Sequence, residues 1–321
     1  MIMLAMVIAP TACVDDGTFT NPIVDSGADP WVVLWMDEYY YCHVIEGGKI
    51  CISKAKRLQD IGKAAKVEVW SPPEGTAYSK GIWAPELHHL DGRWYIYFAA
   101  DDGNNANHRM YVLEGDSQNP QGSYTFKGKI AAPTDRWAID GTVLVLDNGS
   151  MHFIWSGWDG FENIQQNLYI APMSNPWTIS GDRICISTPE YEWEKVGIPY
   201  VNEGPQVLRK DRDTHIIYSA SGSWTDDYCL GQLTYVGGDV LREESWAKKN
   251  TPVFSKTSKV FGPGHACFVK SPDGTEDWIM YHAAKYSGAR WDRDIRAQKF
   301  TWNADGSPNF GVPIPAGIPI K

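Results

Sequence analysis

The feature that most constrains the fold is a short motif that recurs five times along the 321-residue chain. Each copy places a polar or aromatic residue beside Gly or Pro and continues into a short β-type run. The anchor residues lie 54, 57, 63 and 62 positions apart, and are Asp29, Trp83, Asp140, Glu203 and His265. A nearly constant period of this length indicates a repeat architecture. The chain is therefore expected to build five equivalent units.

Within each unit the anchor is followed by a strand, a tight turn, a second strand, a longer loop and a third strand. The turns contain hairpin residues, such as Gly47-Gly48 in the first unit and Asp91-Gly92 in the second. Only the charged stretch Lys54 to Lys66 has mild helical character. Units of about sixty residues can hold four strands, which predicts an all-β, five-bladed β-propeller. A β-sandwich is the alternative, but it gives no reason for evenly spaced anchors.

The propeller makes the repeat chemically informative, because the first strand of every blade runs along the central axis. The five anchors would then meet at one end of the channel. Glycoside cleavage needs two carboxyl groups, one that protonates the leaving oxygen and one that activates water or attacks carbon. A third carboxylate nearby raises the pKa of the acid by like-charge repulsion. Each Asp alone could simply cap a turn, but three acids at equivalent positions favour a glycosidase site.

Five short segments resemble glycoside hydrolase family 43, in the same order and at matching intervals. The segments are Ala28-Asp29-Pro30-Trp31, Gly81-Ile82-Trp83-Ala84-Pro85-Glu86, Ile139-Asp140-Gly141, Asn202-Glu203-Gly204-Pro205 and Gly262-Pro263-Gly264-His265. The resemblance runs from about Asn21 to the end of the chain. Gly141 stands where many members have Pro, and Asn202 and Gly204 flank the acid as in some arabinofuranosidase-like members. Neither departure removes a carboxylate. The resemblance implies a five-bladed propeller and an inverting mechanism.

The resemblance also implies a role for each anchor. Asp29 would be the general base, Glu203 the general acid, and Asp140 would orient the acid and tune its pKa. Trp83 would form a wall of the sugar pocket. His265 would lie at the channel centre near the substrate and, as in some members, help to hold a water-coordinated cation. We therefore expect no cofactor for the chemistry itself, and a structural Ca²⁺ or Na⁺ ion near the channel centre, with His265 as its ligand.

Two more residues are candidates for binding the substrate. The segment Arg293 to Gln298 resembles the late strand from which an Arg of the family reaches the pocket, and we assign that role to Arg293. Arg290 and Arg296 are weaker candidates. Trp155 precedes the long loop of the third unit and is a candidate for stacking on a sugar, with packing in the core as the alternative.

The main activities of the family are α-L-arabinofuranosidase, β-xylosidase and endo-arabinanase, and the loops at the propeller mouth decide between them. The segments over 81–87, 168–173 and 202–205 resemble those of exo-acting α-L-arabinofuranosidases. We therefore expect inverting release of terminal α-L-arabinofuranosyl residues from arabinan or arabinoxylan, which are polysaccharides of the plant cell wall. The alternatives are β-xylosidase or endo-arabinanase activity and, from a different class, a non-catalytic carbohydrate-binding propeller.

The charge balance agrees with a neutral ligand. The net charge is −10 and the pI is about 5.3, and an acidic surface repels phosphate, so we expect no nucleic-acid partner. The chain contains 15 Trp, whose indole faces pack well against the C–H surfaces of sugars. The six Cys form no CxxC pair and no zinc-like spacing. Cys42 and Cys51 could lie on facing strands, although two free thiols are the simpler interpretation.

The beginning of the chain differs in character from the rest. Residues 1–13 are mostly apolar and uncharged, which resembles the hydrophobic part of a secretory signal without its basic start. The run is too short to span a bilayer, so we expect no membrane partner. We predict a signal remnant and lead-in over residues 1–20, a secreted protein, and one propeller domain over residues 21–321. A buried first strand is the alternative for residues 1–13.

Overall fold

The computed structural model describes residues 17–116 and 118–321. The predicted signal remnant over residues 1–13 therefore lies outside the described residues. The helices of the described part are short 3-10 turns over Glu46–Gly48, Leu58–Lys63, Asn105–Asn107, Glu192–Glu194 and Glu243–Ser245. One of them, Leu58–Lys63, occupies the charged stretch that we predicted to have helical character. None of the described helices is long and apolar enough to cross a membrane.

The strands of three predicted units form separate four-stranded antiparallel sheets, and those of the third and fourth units form one nine-stranded sheet. Blade one contains β2 (Trp31–Trp35), β3 (Glu38–Ile45), β4 (Lys49–Ala55) and β5 (Lys66–Trp70), after a short β1 (Phe19–Thr20). Blade two contains β6 (Lys80–Leu90), β7 (Arg93–Asp101), β8 (Arg109–Gly115) and β9 (Tyr124–Ile130). Blade three contains β10 (Ala138–Val145), β11 (Met151–Gly157), β12 (Gln165–Asn175) and the short β13 (Thr178–Ile179) and β14 (Ile184–Ser187), which both pair with β12.

Blades four and five repeat the pattern. Blade four contains β15 (Tyr200–Lys210), β16 (Asp213–Ala220), β17 (Cys229–Tyr235) and β18 (Trp246–Lys248). Blade five contains β19 (Phe261–Lys270), β20 (Asp277–Ala284), β21 (Arg293–Trp302) and β22 (Pro308–Asn309), and β23 (Pro319–Ile320) follows. A short parallel pairing between β12 and β15 joins blades three and four. The fourth strands are the shortest or least regular, and the sequence pattern did not locate them.

Five clusters of buried apolar side chains fill the five interfaces between neighbouring blades. One cluster, for example, brings Ile50 of blade one together with Phe98 of blade two. The cluster between the last blade and the first contains Tyr41 of blade one and Met280 of blade five. The remaining clusters fill the interfaces between blades two and three, three and four, and four and five. The packing is therefore cyclic, and the predicted five-bladed β-propeller is confirmed.

The two ends of the described chain meet beside blade five. Strand β1 pairs with β23 in an antiparallel ladder. The backbone N–H of Ile23 donates to the carbonyl of Ile295 at 2.9 Å, and the N–H of Ile295 donates to the carbonyl of Val24 at 3.0 Å. These bonds fix the segment that leads to Asp29. Strand β1 lies within the segment that we predicted to precede the propeller, and the boundary at residue 21 stays a prediction.

The anchors lie at irregular points of the chain. The register of β10 shifts around Asp140, that of β15 around Gly204 and that of β19 around His265. The φ angles of Asp140, Gly204 and His265 are 55°, 54° and 47°. Asp29, just before β2, has a φ angle of 50°. Left-handed backbone costs roughly 1–2 kcal/mol for a residue with a side chain, and bulges re-aim side chains next to active sites. The strained backbone therefore turns the anchors towards the end of the channel.

Two cysteines on adjacent strands of blade one do not form a bridge. Cys42 lies on β3 and Cys51 on β4, and both are free and buried. Burial raises the pKa of both thiols, so both are poor nucleophiles. The simpler interpretation of two free thiols is therefore correct.

Candidate active site

A cavity of about 530 Å³ lies at one end of the channel and is lined by all five anchor residues. Arg293, the candidate from the late strand, lines it as well. The fold thus brings together three carboxyl groups that are 63 or more positions apart in sequence. Apart from the aromatic Trp83, the anchors carry the titratable groups on which acid–base chemistry depends.

The carboxylate of Asp29 has basic neighbours, all from blade five. Its Oδ1 lies 3.3 Å from Nδ1 of His265, 3.2 Å from Nδ1 of His282 and 3.7 Å from Nη1 of Arg293. Burial by itself raises the pKa of Asp29, but the attraction of His265 and Arg293 and the hydrogen bond from His282 outweigh it. The pKa of Asp29 is therefore held well below its ordinary value. Asp29 is ionised at any working pH.

His282 lies between Arg293 and Asp29 and contacts both. Nη1 of Arg293 lies 3.2 Å from Nε2 of His282, and a guanidinium can only donate. Nε2 therefore accepts from Arg293, and Nδ1 lies 3.2 Å from both the backbone N and Oδ1 of Asp29. Burial, followed by the charge of Arg293, lowers the pKa of His282 to about 3. A neutral His282 thus links Arg293 to Asp29 and fixes the carboxylate.

The carboxyl group of Glu203 lies in different surroundings. Its side chain is buried, and the hydroxyl of Tyr228 donates to Oε1 at 2.8 Å. Burial raises the pKa of Glu203 to about 7, with a further upward contribution from the charge of Asp29, while the bond from Tyr228 and the charge of Arg293 act in the opposite direction. Glu203 can therefore carry a proton near neutral pH, as a general acid must.

Asp140 lies next to this acid and is coupled to it. The backbone N–H of Gly204 donates to Oδ2 of Asp140 at 3.0 Å, so the residue after Glu203 is tied to Asp140. Burial, together with the negative charges of Glu203 and Asp29, raises the pKa of Asp140 well above its ordinary value. Two coupled, buried carboxyl groups of this kind retain a proton between them at neutral pH.

Trp83 forms part of the wall and is supported from behind. Its ring stacks on His108 with centroids 3.9 Å apart and an interplanar angle of 26°. His108 is fixed by Asp101, at 3.0 Å from Nδ1, and by the carbonyl of Gly81, at 2.9 Å from Nε2. Trp83 nevertheless remains 41% exposed. A supported, partly open indole is suited to packing against the C–H face of a sugar.

The chain matches the family model "Glycosyl hydrolases family 43" over residues 19–308. It belongs to glycoside hydrolase family 43. It is 42% identical to an extracellular exo-alpha-(1->5)-L-arabinofuranosidase of Streptomyces avermitilis, over 95% of this chain and 66% of that protein. It is 36% identical to alpha-L-arabinofuranosidase 43 of Humicola insolens, over 94% of this chain and 65% of that protein.

A solved structure, that of an alpha-L-arabinofuranosidase from Lactobacillus brevis, superimposes on the chain with a TM-score of 0.87 and 36% sequence identity. The match covers 94% of this chain and 98% of that structure. The chain spans about two thirds of the length of the two curated relatives. These matches confirm the family resemblance that the five motifs indicated.

The structure does not bring Trp155 to the cavity of this family 43 protein. Its side chain is 4% exposed and packs against Phe153 and Tyr169 in the core between blades two and three. The period-two alternation of β11 places Trp155 on the same face as Phe153. The stacking role predicted for Trp155 is therefore contradicted. The aromatic residue of blade three that lines the cavity is Trp137, three positions before Asp140.

The three candidate arginines have different surroundings. Arg293 lines the cavity, whereas Arg296 is buried in an ion pair with Asp294, with Nε 2.6 Å from Oδ1. Arg290 is exposed and does not line the cavity. Of the three, only Arg293 is placed to contact a substrate.

The fit of a metal ion at His265 can be judged from its neighbours. Nδ1 of His265 faces Asp29 at 3.3 Å and Asp140 at 3.9 Å. Over residues 17–116 and 118–321, no group of three or more His, Cys, Asp or Glu side chains is placed to hold a metal ion. The site therefore does not fit an ion held by several side chains, and we derive no step through one. A water-coordinated ion with His265 as its protein ligand stays a prediction.

Sequence reasoning missed the residues that contact the acids from second strands and loops. Tyr228 and His282 are the most important of these, because they bond to Glu203 and Asp29. Hairpin register offers one signal, since His282 stands opposite Gly264 across β19 and β20. The register of β19 shifts on both sides of Gly264, so counting residues across the hairpin from the sequence does not identify His282. Tyr228 and the cavity-lining loop residues carry no signal of this kind.

Proposed function

We propose that this family 43 protein is an inverting, exo-acting α-L-arabinofuranosidase that releases terminal arabinofuranosyl residues from arabinan or arabinoxylan. The observation that supports this most directly is that carboxyl groups in one cavity have different protonation states. Asp29 is ionised and Glu203 can hold a proton near neutral pH. An inverting glycosidase needs this pair of a base and an acid. The names of the relatives support arabinofuranose as the sugar that is released, and the name of the Streptomyces avermitilis protein supports 1,5-linked chains as the substrate.

In the proposed reaction, Glu203 gives its proton to the glycosidic oxygen as the bond from that oxygen to the anomeric carbon breaks. A water molecule attacks the anomeric carbon from the opposite face, and Asp29 takes a proton from it. The products are free arabinose of inverted configuration and a chain one residue shorter. Glu203 is then ionised and Asp29 protonated, and exchange with water restores both groups before the next turnover.

Asp140 is proposed to position the acid. Its Oδ2 accepts from the N–H of Gly204, directly after Glu203, so it restrains the backbone that carries the acid. Its coupling to Glu203 keeps a proton in the pair at neutral pH. Arg293 and His265 are proposed to face the substrate beside Asp29, and Trp83 to pack against the terminal sugar.

A non-catalytic carbohydrate-binding propeller is the rival from another class. Such a module would have no need for three acids at the starts of the blades, and acids that point away from a common cavity would favour it. Asp29, Asp140 and Glu203 instead line the same cavity. Catalysis is therefore the better-supported proposal. Secretion, with a plant cell-wall polysaccharide as substrate, is part of it and is supported by relatives named as extracellular.

The deciding experiment compares hydrolysis of p-nitrophenyl α-L-arabinofuranoside and β-D-xyloside by the wild type and by Glu203→Gln. We expect the wild type to turn over the arabinoside and little of the xyloside. For Glu203→Gln we expect the full loss from removal of a general acid, about 10²–10⁴-fold, on α-1,5-L-arabinobiose, whose alcohol leaving group needs a proton. NMR of the first-formed arabinose reports the anomer. Xylose release without arabinose release would overturn the substrate. If the wild type hydrolyses neither glycoside and releases no sugar from arabinan, the binding module is favoured.

A further inference from the structure

Two tryptophans at the mouth of the cavity have no part in the mechanism above. Trp224 and Trp291 line the cavity together with the three acids. Their rings form an edge-to-face pair with centroids 6.2 Å apart and an interplanar angle of 65°. Trp291 is 60% exposed. Ligand pockets are typically lined by aromatic side chains of this kind.

The position of this pair relative to the acid is informative. Trp224 lies in the loop that follows β16, the strand in which Ser219 stands directly opposite Glu203. Trp291 comes from the neighbouring blade, two residues before Arg293. In glycoside cleavage the acid protonates the oxygen of the leaving group, so the leaving group must lie beside the acid. The pair therefore borders the part of the cavity where a leaving sugar would be.

The pair is also held in place. The ring of Trp224 packs so closely over Gly222 that a Cβ there would lie 2.6 Å from it, and a Cβ at Gly197 would lie 3.1 Å from it. The indole N–H of Trp291 donates to Oγ of Ser223 at 3.3 Å. Because these contacts fix both rings before any ligand arrives, binding to them would require little ordering.

The loops that carry the two rings are fastened to each other. In the blade-four loop, Asp226 accepts hydrogen bonds from Oγ of Ser287 at 2.5 Å and from the N–H of Gly288 at 2.9 Å, both in the blade-five loop. The carbonyl of Asp226 also accepts from the N–H of Gly262 at 2.8 Å. The two loops thus form one continuous wall beside the acid.

We propose that Trp224 and Trp291 form the binding site for the sugar on the leaving-group side of the scissile bond. This inference rests on the proposed function and deepens it. The indole faces contact the C–H surface of the penultimate arabinofuranosyl residue and so hold the glycosidic oxygen near Glu203. The pair then selects chains with a sugar leaving group over glycosides of small alcohols. Its members bind and position the substrate and take no part in proton transfer.

The test compares two substrates whose leaving groups are both simple alcohols in need of a proton. α-1,5-L-Arabinobiose has a sugar on the leaving side, and methyl α-L-arabinofuranoside does not. For Trp291→Ala and Trp224→Ala we expect kcat/KM on arabinobiose to fall by about tenfold, the size of a lost aromatic contact. Activity on the methyl glycoside should change less than about twofold. An equal loss on both substrates, or no loss on arabinobiose, would overturn the proposal.

Two further variants keep the test sharp. Tyr286→Ala is the matched control, because Tyr286 lies in the same loop, is also 60% exposed, and does not line the cavity. It should leave both activities unchanged. Gly222→Ala displaces the ring of Trp224 without removing it, so it should reproduce the selective loss on arabinobiose. A wild type inactive on both substrates would refute the proposed function, whereas an active wild type with unselective Trp variants would refute this inference alone.

Discussion

The two sides of the cavity contain the same kind of functional group and set it in opposite protonation states. On the side of blades one and five, Asp29 lies among His265, His282 and Arg293, and its pKa is lowered. On the side of blades three and four, Asp140 and Glu203 lie beside each other, and the pKa of both is raised. Burial acts in the same direction on all three acids. The neighbours therefore decide which acid is the base and which holds a proton.

The comparison also shows what the repeat contributes. Blade five supplies a His at the end of its second strand and an Arg at the start of its third, and both contact Asp29 of blade one. Near the end of the second strand of blade four stands Ser219, whose hydroxyl accepts from the N–H of His265. Similar backbones thus present different side chains to neighbouring acids, and five blades can build two electrostatic environments within one cavity.

The largest expected effect is a loss of kcat that depends on the leaving group for the acid side but not for the base side. Asp29→Asn should reduce kcat by about 10²–10⁴-fold on every substrate, because water always needs the base. Glu203→Gln should show a similar loss on arabinobiose but a much smaller one on 2,4-dinitrophenyl α-L-arabinofuranoside, whose leaving group needs no proton. Steady-state kinetics on the two substrates checks this. A Glu203→Gln loss that is equal on both would contradict the assignment of the acid.

A second, smaller effect concerns stability, where the two sides should differ in sign. The folded-state pKa of Glu203, about 7 against an ordinary 4.5, means that the folded state binds more protons between these values, so its stability falls as pH rises through that window. Above pH 7 the penalty reaches about 3 kcal/mol. Glu203→Gln should therefore raise the Tm at pH 8 and change it little at pH 4.

Asp29 should behave in the opposite way. Its lowered pKa stabilises the folded state above the unfolded-state pKa, and this stabilisation is lost as pH falls through the folded-state value. Asp29→Asn should therefore lower the Tm at pH 8. Thermal unfolding of the two variants beside the wild type at both pH values measures the difference. Shifts of the same sign for both variants would show that the two sides are not electrostatically distinct.

The smallest expected effect sharpens the acid side alone. Tyr228→Phe removes a hydrogen bond that lowers the pKa of Glu203, so that pKa should rise. Because Glu203 must be protonated to act, the alkaline limb of the kcat–pH profile should move to higher pH. The rest of the profile should stay in place, because Asp29 is ionised over the whole working range. An alkaline limb that moves to lower pH would contradict the role of this hydrogen bond.

Sequence and structure agree best where the repeat carries the information. The evenly spaced anchors predicted the five blades, and the anchors themselves predicted which acids share the cavity. The prediction for Trp155 was wrong because a strand has two faces, and the sequence does not show on which face Trp155 lies. Only the packing of blade two against blade three shows that its face is buried. His282 was missed because the register shifts of β19 hide which residue stands opposite the anchor, and Tyr228 because it lies before β17, outside the paired strands.

By itself, the sequence determined the architecture and which three acids meet. A closed ring of five equivalent blades brings the residues at the start of each blade together at one end of the channel. Only the tertiary structure decided their protonation states. A pKa depends on burial and on charges a few ångströms away. The residues that lower the pKa of Asp29, by charge or by hydrogen bond, are His265, His282 and Arg293. They lie more than 230 positions from Asp29 along the chain, and they reach it only because blade five closes the ring against blade one.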